Sequence, residues 1–121
     1  MRNILIVEDA LDMQFIYRRM FEAVETEYKI EMEKDGKKAF KRLKTGSFDL
    51  VILDILMEPM DGEEFYRMVR NDPEISGVNI LIVSVLPPDR LEDLTKFGKV
   101  YCLQKPVTGE QLFAEIDAML K

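Results

Sequence analysis

The sequence predicts an open α/β fold: a doubly wound parallel sheet of five strands, with five helices covering its two faces. Apolar runs and amphipathic stretches alternate five times along the 121 residues, which is the pattern of parallel strands joined by right-handed helical crossovers. The runs Asn3-Ile4-Leu5-Ile6-Val7, Asp49-Leu50-Val51-Ile52-Leu53 and Asn79-Ile80-Leu81-Ile82-Val83 are continuous rather than alternating, as strands buried on both faces are. Polar groups also stand at the ends of these runs, where open α/β sheets bind their ligands.

Taken in order, the first strand ends in Glu8-Asp9. A helix capped by Asp12 is expected next, with Met13, Ile16, Met20, Ala23 and Val24 recurring at three or four positions. Tyr28-Lys29-Ile30-Glu31-Met32-Glu33 alternates apolar and charged residues, so this strand has one exposed face and belongs at a sheet edge. A second helix spans about Asp35 to Lys44, with Ala39, Phe40 and Leu43 on its apolar side and Gly46 as its stop. The third strand ends in Asp54 and opens the loop Ile55-Leu56-Met57-Glu58-Pro59-Met60-Asp61-Gly62.

A third helix begins near Asp61-Gly62, buries Phe65, Met68 and Val69, and is broken by Asn71-Asp72-Pro73. The fourth strand ends in Ser84. A fourth helix is expected from Pro87-Pro88-Asp89, carrying Leu91 and Leu94, because proline is tolerated in a first turn. The fifth strand, Val100 to Gln104, ends in Lys105-Pro106. Thr108-Gly109-Glu110-Gln111 then has the pattern of a capping box, followed by Leu112, Ile116, Met119 and Leu120 on one helical face.

If the strands are parallel neighbours, an acid pair, an acid, a hydroxyl and a lysine converge at one edge of the sheet. Three carboxylates about 4 Å apart repel by roughly 4 kcal/mol per pair at an effective dielectric of about 20, so they require a compensating cation. A hard divalent ion held by oxygen fits, and magnesium is the natural candidate. The chain has no histidine and one cysteine, so a zinc site lacks ligands.

These residues carry a resemblance over the whole chain. Glu8-Asp9, Asp54 with Met57 and Asp61-Gly62, Ser84, and Lys105-Pro106 stand in the order and spacing of the receiver domain of two-component response regulators, a flavodoxin-like fold of strand order 2-1-3-4-5. The resemblance implies that Asp54 accepts a phosphoryl group from a histidine kinase or phosphotransfer protein. It implies that Asp9, Asp54 and the backbone carbonyl of Leu56 hold Mg2+, with Glu8 acting through water. It further implies that Ser84 turns toward the new phosphoryl group, that Lys105 pairs with it, and that the bond to Pro106 is cis. By the same resemblance, switching is expected through the face of the fourth helix, fifth strand and fifth helix, toward an output protein or domain.

Departures from the family pattern also shape the expectation. Glu58 follows Met57 where proline is usual, Val85 follows Ser84 where a small residue is usual, and Cys102 occupies a position commonly aromatic. Tyr101 is one residue away and cannot substitute, since adjacent strand residues face opposite ways. Leu56 and Leu86, two beyond the acceptor and two beyond the hydroxyl, flank the path of an attacking water in this family. Neither can orient water, and Val85 narrows the approach, so a long-lived phosphoryl group is expected.

Two other functions fit less well. A magnesium phosphohydrolase with an aspartyl-phosphate intermediate carries a second acid two residues after its nucleophile, and here that residue is Leu56. A receiver-like interaction domain that is never phosphorylated is favoured by Val85 and Cys102, yet the acid pocket is complete. The reading is therefore a signalling module that catalyses only its own phosphorylation and dephosphorylation.

Length and composition bound the remainder. One domain, residues 1–121, is expected. A net charge of −6 argues against direct nucleic-acid binding. No apolar run approaches the ~20 residues that would cross a membrane. The first strand begins at the third residue, leaving no room for a signal peptide, and a lone Cys102 makes no internal disulfide; the expected location is cytoplasmic. The lysines Lys34, Lys37, Lys38, Lys41 and Lys44 on and before the second helix are read as a solvated face.

Overall fold

The computed structural model describes residues 2–24, 27–57, 60–87, 89 and 100–120. The five strands are β1 (Arg2–Val7), β2 (Tyr28–Glu33), β3 (Leu50–Leu53), β4 (Asn79–Ser84) and β5 (Val100–Gln104). They form one sheet in the order β2-β1-β3-β4-β5, and each neighbouring pair is parallel. The helices among the described residues are α1 (Leu11–Glu22), α2 (Gly36–Thr45), α3 (Gly62–Asn71) and α4 (Gly109–Met119). The helix expected after Pro87 falls on residues outside those described, and α4 is the fifth helix expected from the sequence.

Alternation along the strands divides the core in two. Leu5, Val7, Val51, Leu53, Ile80 and Ile82 pack with Ala39 and Leu43 of α2 and with Phe65, Tyr66 and Val69 of α3. Ile4, Ile6, Leu50, Ile52, Leu81 and Val83 pack on the other face with Tyr17 and Phe21 of α1 and Leu112 and Ile116 of α4. Full burial of one such aliphatic side chain contributes about 1.5–3 kcal/mol, whereas an exposed ion pair is worth about 0–1 kcal/mol. The central strands therefore hold the domain together, and its exposed ion pairs trim the surface. β2 lies at the edge, as its alternation predicts. Its outer carboxylates Glu31 and Glu33 are bridged by Arg42 of α2 at 2.6 and 3.0 Å.

Local signals at the helix ends were largely correct. Asp35 caps α2 by accepting from the Lys37 amide, and Asp61 caps α3 by accepting from the Glu64 amide. The Thr108–Gln111 capping box is formed in both directions, at 3.1 and 2.9 Å.

The first helix differs from expectation. Its N-cap is Ala10, and Asp12 lies inside the first turn, accepting from the Met13 amide at 2.9 Å. The helix buries Tyr17 and Phe21, while Ile16 is exposed. The expected stripe is otherwise kept, since Met13, Met20 and Val24 pack partly buried against the same core, and a second apolar stripe, Leu11, Phe15 and Ile16, stays exposed. Tyr66 of α3 was likewise missed: it is fully buried, and the Arg70 guanidinium lies 5.1 Å from its ring centre.

Candidate functional site

Strand register brings the site together. Val7 pairs with Leu53 across β1 and β3, and Leu53 with Ile82 across β3 and β4. The residues after Val7 and Leu53 are thus neighbours, and the Asp54 amide continues the ladder by donating to the Val7 carbonyl at 3.2 Å. On the far side, the Lys105 amide donates to the Ser84 carbonyl at 2.7 Å. Glu8 and Asp54 follow Ile6 and Ile52 by two positions, so their side chains emerge on the face covered by α1 and α4.

Glu8 and Asp54 are 1% and 7% exposed. Carboxylate oxygens of Glu8, Asp9 and Asp54 lie within 4.8 Å of one another. The Lys105 ammonium enters this group from the β5 side, 2.9 Å from Glu8 Oε1 and 3.3 Å from Asp54 Oδ2. Backbone amides supply further donors: Ala10 to Glu8 Oε2 at 3.3 Å and Leu56 to Asp54 Oδ1 at 3.2 Å. Gln14 ties the first turn of α1 to the strand end by donating to the Glu8 carbonyl at 2.7 Å.

Burial pushes the Glu8 carboxyl above the usual glutamate range, and the negative charge of Asp54 adds to this against the hydrogen bond from Lys105. For Lys105, burial disfavours the ammonium, but the Glu8 hydrogen bond and the charges of Glu8 and Asp54 outweigh it, and its pKa is raised. The lysine therefore stays charged through the physiological range.

One ammonium faces three carboxylates, and the donors are all oxygen. Cys102 lies on β5 outside the cluster. This donor set suits a hard divalent cation such as Mg2+, which accepts carboxylate oxygens and keeps several waters.

The loop after Asp54 is shaped by Gly62. Its amide and that of Met57 both donate to the Ile55 carbonyl, at 2.8 and 3.1 Å. A Cβ at this position would collide with the Asp54 carbonyl oxygen and come within 2.5 Å of Ile55 Cα. Only a glycine lets α3 start this close to the backbone of Asp54.

Of the residues expected at the site, Glu8, Asp9, Asp54 and Lys105 are brought together, and the Lys105–Pro106 peptide is cis. Ser84 is fully buried, and its hydroxyl accepts from the Leu86 amide at 3.4 Å. Leu56 and Val85 are exposed at 51% and 55%, whereas Leu86 is half-buried against the α2–α3 core. Leu86 therefore serves packing as well as the rim. Glu58 lies outside the described residues.

Sequence reasoning missed Gln14, the Ala10 amide and a groove beside the acids. That groove, of about 320 Å³, is lined by Met13, Ile16, Val85, Lys105, Pro106 and Val107. Its signal was available in the second apolar stripe of the first helix, where Leu11, Phe15 and Ile16 stand exposed.

Known proteins share both the sequence pattern and the fold. The pattern of the response regulator receiver domain matches residues 4–117. The chain is 29% identical over 120 residues to the sensor histidine kinase TmoS of Ectopseudomonas mendocina, covering 98% of this chain and 12% of that protein. It is 28% identical over 123 residues to the response regulator ArlR of Staphylococcus haemolyticus, covering all of this chain and 53% of that protein. The chain thus spans about half or less of the length of these two curated relatives. Among solved structures, the chemotaxis response regulator CheY4 of Vibrio cholerae superposes with a TM-score of 0.88 at 25% identity, over 99% of both chains. With its fold, its strand-end acids and its lysine in place, the chain belongs to the response regulator receiver domain family.

Proposed function

We propose that this domain is a phosphorylation-controlled signalling module in which Asp54 accepts a phosphoryl group from a histidine kinase or a phosphotransfer protein. The observation that carries the reading is the placement of Asp54. It is a nearly buried carboxylate with an ammonium 3.3 Å away on one side and two further acids within 4.8 Å. An Asp54 oxygen attacks the phosphorus, the bond from phosphorus to the donor's imidazole nitrogen breaks, and the electron pair leaves with the imidazole. Such a loose transfer needs positioning and charge neutralisation more than covalent help.

Asp9, Asp54 and the Leu56 carbonyl would hold Mg2+, with Glu8 acting through water; the ion supplies neutralising charge to the phosphoryl oxygens. The Leu56 amide already fixes the Asp54 carboxylate. Lys105 pairs with the phosphoryl group, and Ser84 turns from Leu86 toward it. The exposed residues Leu11, Phe15 and Ile16 and the groove along Val85 and Pro106 offer apolar surface for the donor protein beside the acceptor.

The phosphoryl dianion is then read out through the segment after Ser84, β5 and α4, where Cys102 is half-buried and Tyr101 is exposed. The partner contacted there is an output protein or domain, with no nucleic acid bound directly. No described helix is long and apolar enough to cross a membrane, and we place the domain in the cytoplasm. Leu56, Val85 and Leu86 set the lifetime of the phosphoryl group, and the domain acts on no substrate but itself.

The test uses a small phosphodonor with magnesium. Intact mass should rise by one phosphate, and Asp54→Asn should abolish the rise. Retained labelling of that variant would move the acceptor elsewhere.

A further inference from the structure

Gln14 holds the backbone on both sides of Asp9. β1 ends at Val7, so the Glu8 carbonyl lies beyond the strand and takes its donor from a side chain, the Gln14 carboxamide at 2.7 Å. The Ala10 carbonyl accepts from the Gln14 backbone amide at 3.0 Å. Asp9 stands between these two anchors, and its carboxylate comes within 4.8 Å of those of Glu8 and Asp54. The Glu8 amide is itself tied to the Glu33 carbonyl at 3.0 Å, so Gln14 extends the fixed edge of the sheet by one peptide, up to the acid. Helical side chains lean back toward the helix N-terminus, which carries a glutamine of the first turns onto the link before α1. The N-cap, Ala10, makes no side-chain bond. Gln14 closes the junction in its place, together with the longer bond of the Ala10 amide to Glu8 Oε2 at 3.3 Å.

The two hard divalent ions that such an oxygen site could take differ in what they ask of this link. Mg2+ demands a near-octahedral set of ligands at short distances, whereas Ca2+ is larger and accepts a flexible, irregular one. An aspartate on a loose link would serve Ca2+ as well as Mg2+. One whose peptide is fixed serves the ion with the stricter geometry.

We propose that Gln14 is a positioning residue of the metal site: by fixing the Glu8–Asp9 peptide it sets the direction of the Asp9 carboxylate, and so favours Mg2+ over Ca2+. It acts through the backbone of Glu8 and not as a ligand. This rests on the reading of Asp9 as a metal ligand.

The test titrates the parent and Gln14→Met with magnesium chloride and, separately, with calcium chloride, following the backbone amide NMR signals of Asp9 and Ala10. Methionine keeps the length and helix propensity of glutamine but carries no donor. The variant should bind Mg2+ about tenfold more weakly, the lower end of what is lost when a group that orients a metal ligand is removed. Its Ca2+ affinity should fall by about threefold at most, since Ca2+ tolerates a shifted ligand. Without metal the variant should still melt cooperatively. Equal Mg2+ affinities of parent and variant, or losses of the same size for the two ions, would overturn the proposal. A variant that no longer melts cooperatively would overturn it too, because the bond would then hold the fold and not the ligand. Failure of the parent itself to respond to Mg2+ would instead overturn the reading of Asp9 as a ligand, and this inference with it.

Discussion

Lys105 and Glu8 lie 97 positions apart in the chain and form an ion pair at 2.9 Å whose side chains are 13% and 1% exposed. Removing one partner of such a pair leaves a charge in a site with little water, and costs about 3–5 kcal/mol when burial is complete. Because Lys105 retains some solvent, Lys105→Met should lower stability by about 3 kcal/mol in urea unfolding at neutral pH. Glu8→Gln added to it should restore most of the loss. A Lys105→Met protein as stable as the parent would mean that the lysine is not what neutralises Glu8.

Gly62 sets the backbone of the acceptor. Because a Cβ there meets the Asp54 carbonyl and Ile55 Cα, neither of which is a flexible side-chain end, Gly62→Ala should cost about 2 kcal/mol of stability, within the usual range for overpacking. It should also slow labelling of Asp54 by at least about tenfold, since a displaced nucleophile loses its alignment. Normal labelling by mass spectrometry would show that the loop accommodates the methyl group.

The phosphorylated form should be long-lived. Leu56 and Val85 stand exposed at the rim and offer no group that orients water. Leu56→Asn combined with Leu86→Glu should shorten the lifetime, by no more than about 10²-fold for each new side chain that orients water. Leu56 should carry the larger share, because Leu86 is partly committed to the core. Val85→Ala should speed labelling by small donors. Equal decay of the parent and the double variant under the same magnesium concentration would place water delivery on another group.

Tyr28 donates its hydroxyl to Asp117 at 2.8 Å. Burial first, then the hydrogen bond to Asp117 and its charge, push this phenol up to about 12. The folded state thus holds the proton more tightly than the unfolded chain, whose tyrosines titrate near 10. The resulting stability is fully present below pH 10 and is lost as pH rises through about 12. Tyr28→Phe should be less stable than the parent at neutral pH and should lose less stability over that interval. Identical profiles in urea unfolding across the pH series would remove Tyr28 from the account.

Much of this was legible in the chain itself because it depends on local patterns. Unbroken runs such as Leu50 to Leu53, bounded by turn residues, read as covered strands, and the alternation of Tyr28 to Glu33 reads as a strand with one exposed face. Asp35, Asp61 and Thr108 declare helix starts through groups that bond within three residues. The positions of Glu8-Asp9, Asp54 and Lys105 at strand ends followed from the same reading, since parallel strands open at one edge.

The remaining features depend on packing between distant segments. Which side chains of α1 are fully buried was settled by the fit of Tyr17 and Phe21 against Ile6, Ile52 and Leu112, with Met13, Met20 and Val24 partly buried beside them. That fit left Leu11, Phe15 and Ile16 outside. Ser84 ends its strand where the sequence puts it, and its hydroxyl accepts from the Leu86 amide. Thus the sequence determined the elements, their order and the residues at the strand ends, because hydrophobic period and capping chemistry act over a few residues. Tertiary structure alone decided how Lys105 divides itself between Glu8 and Asp54 and which leucine is exposed and which is packed, because those outcomes depend on distances between groups far apart in the chain.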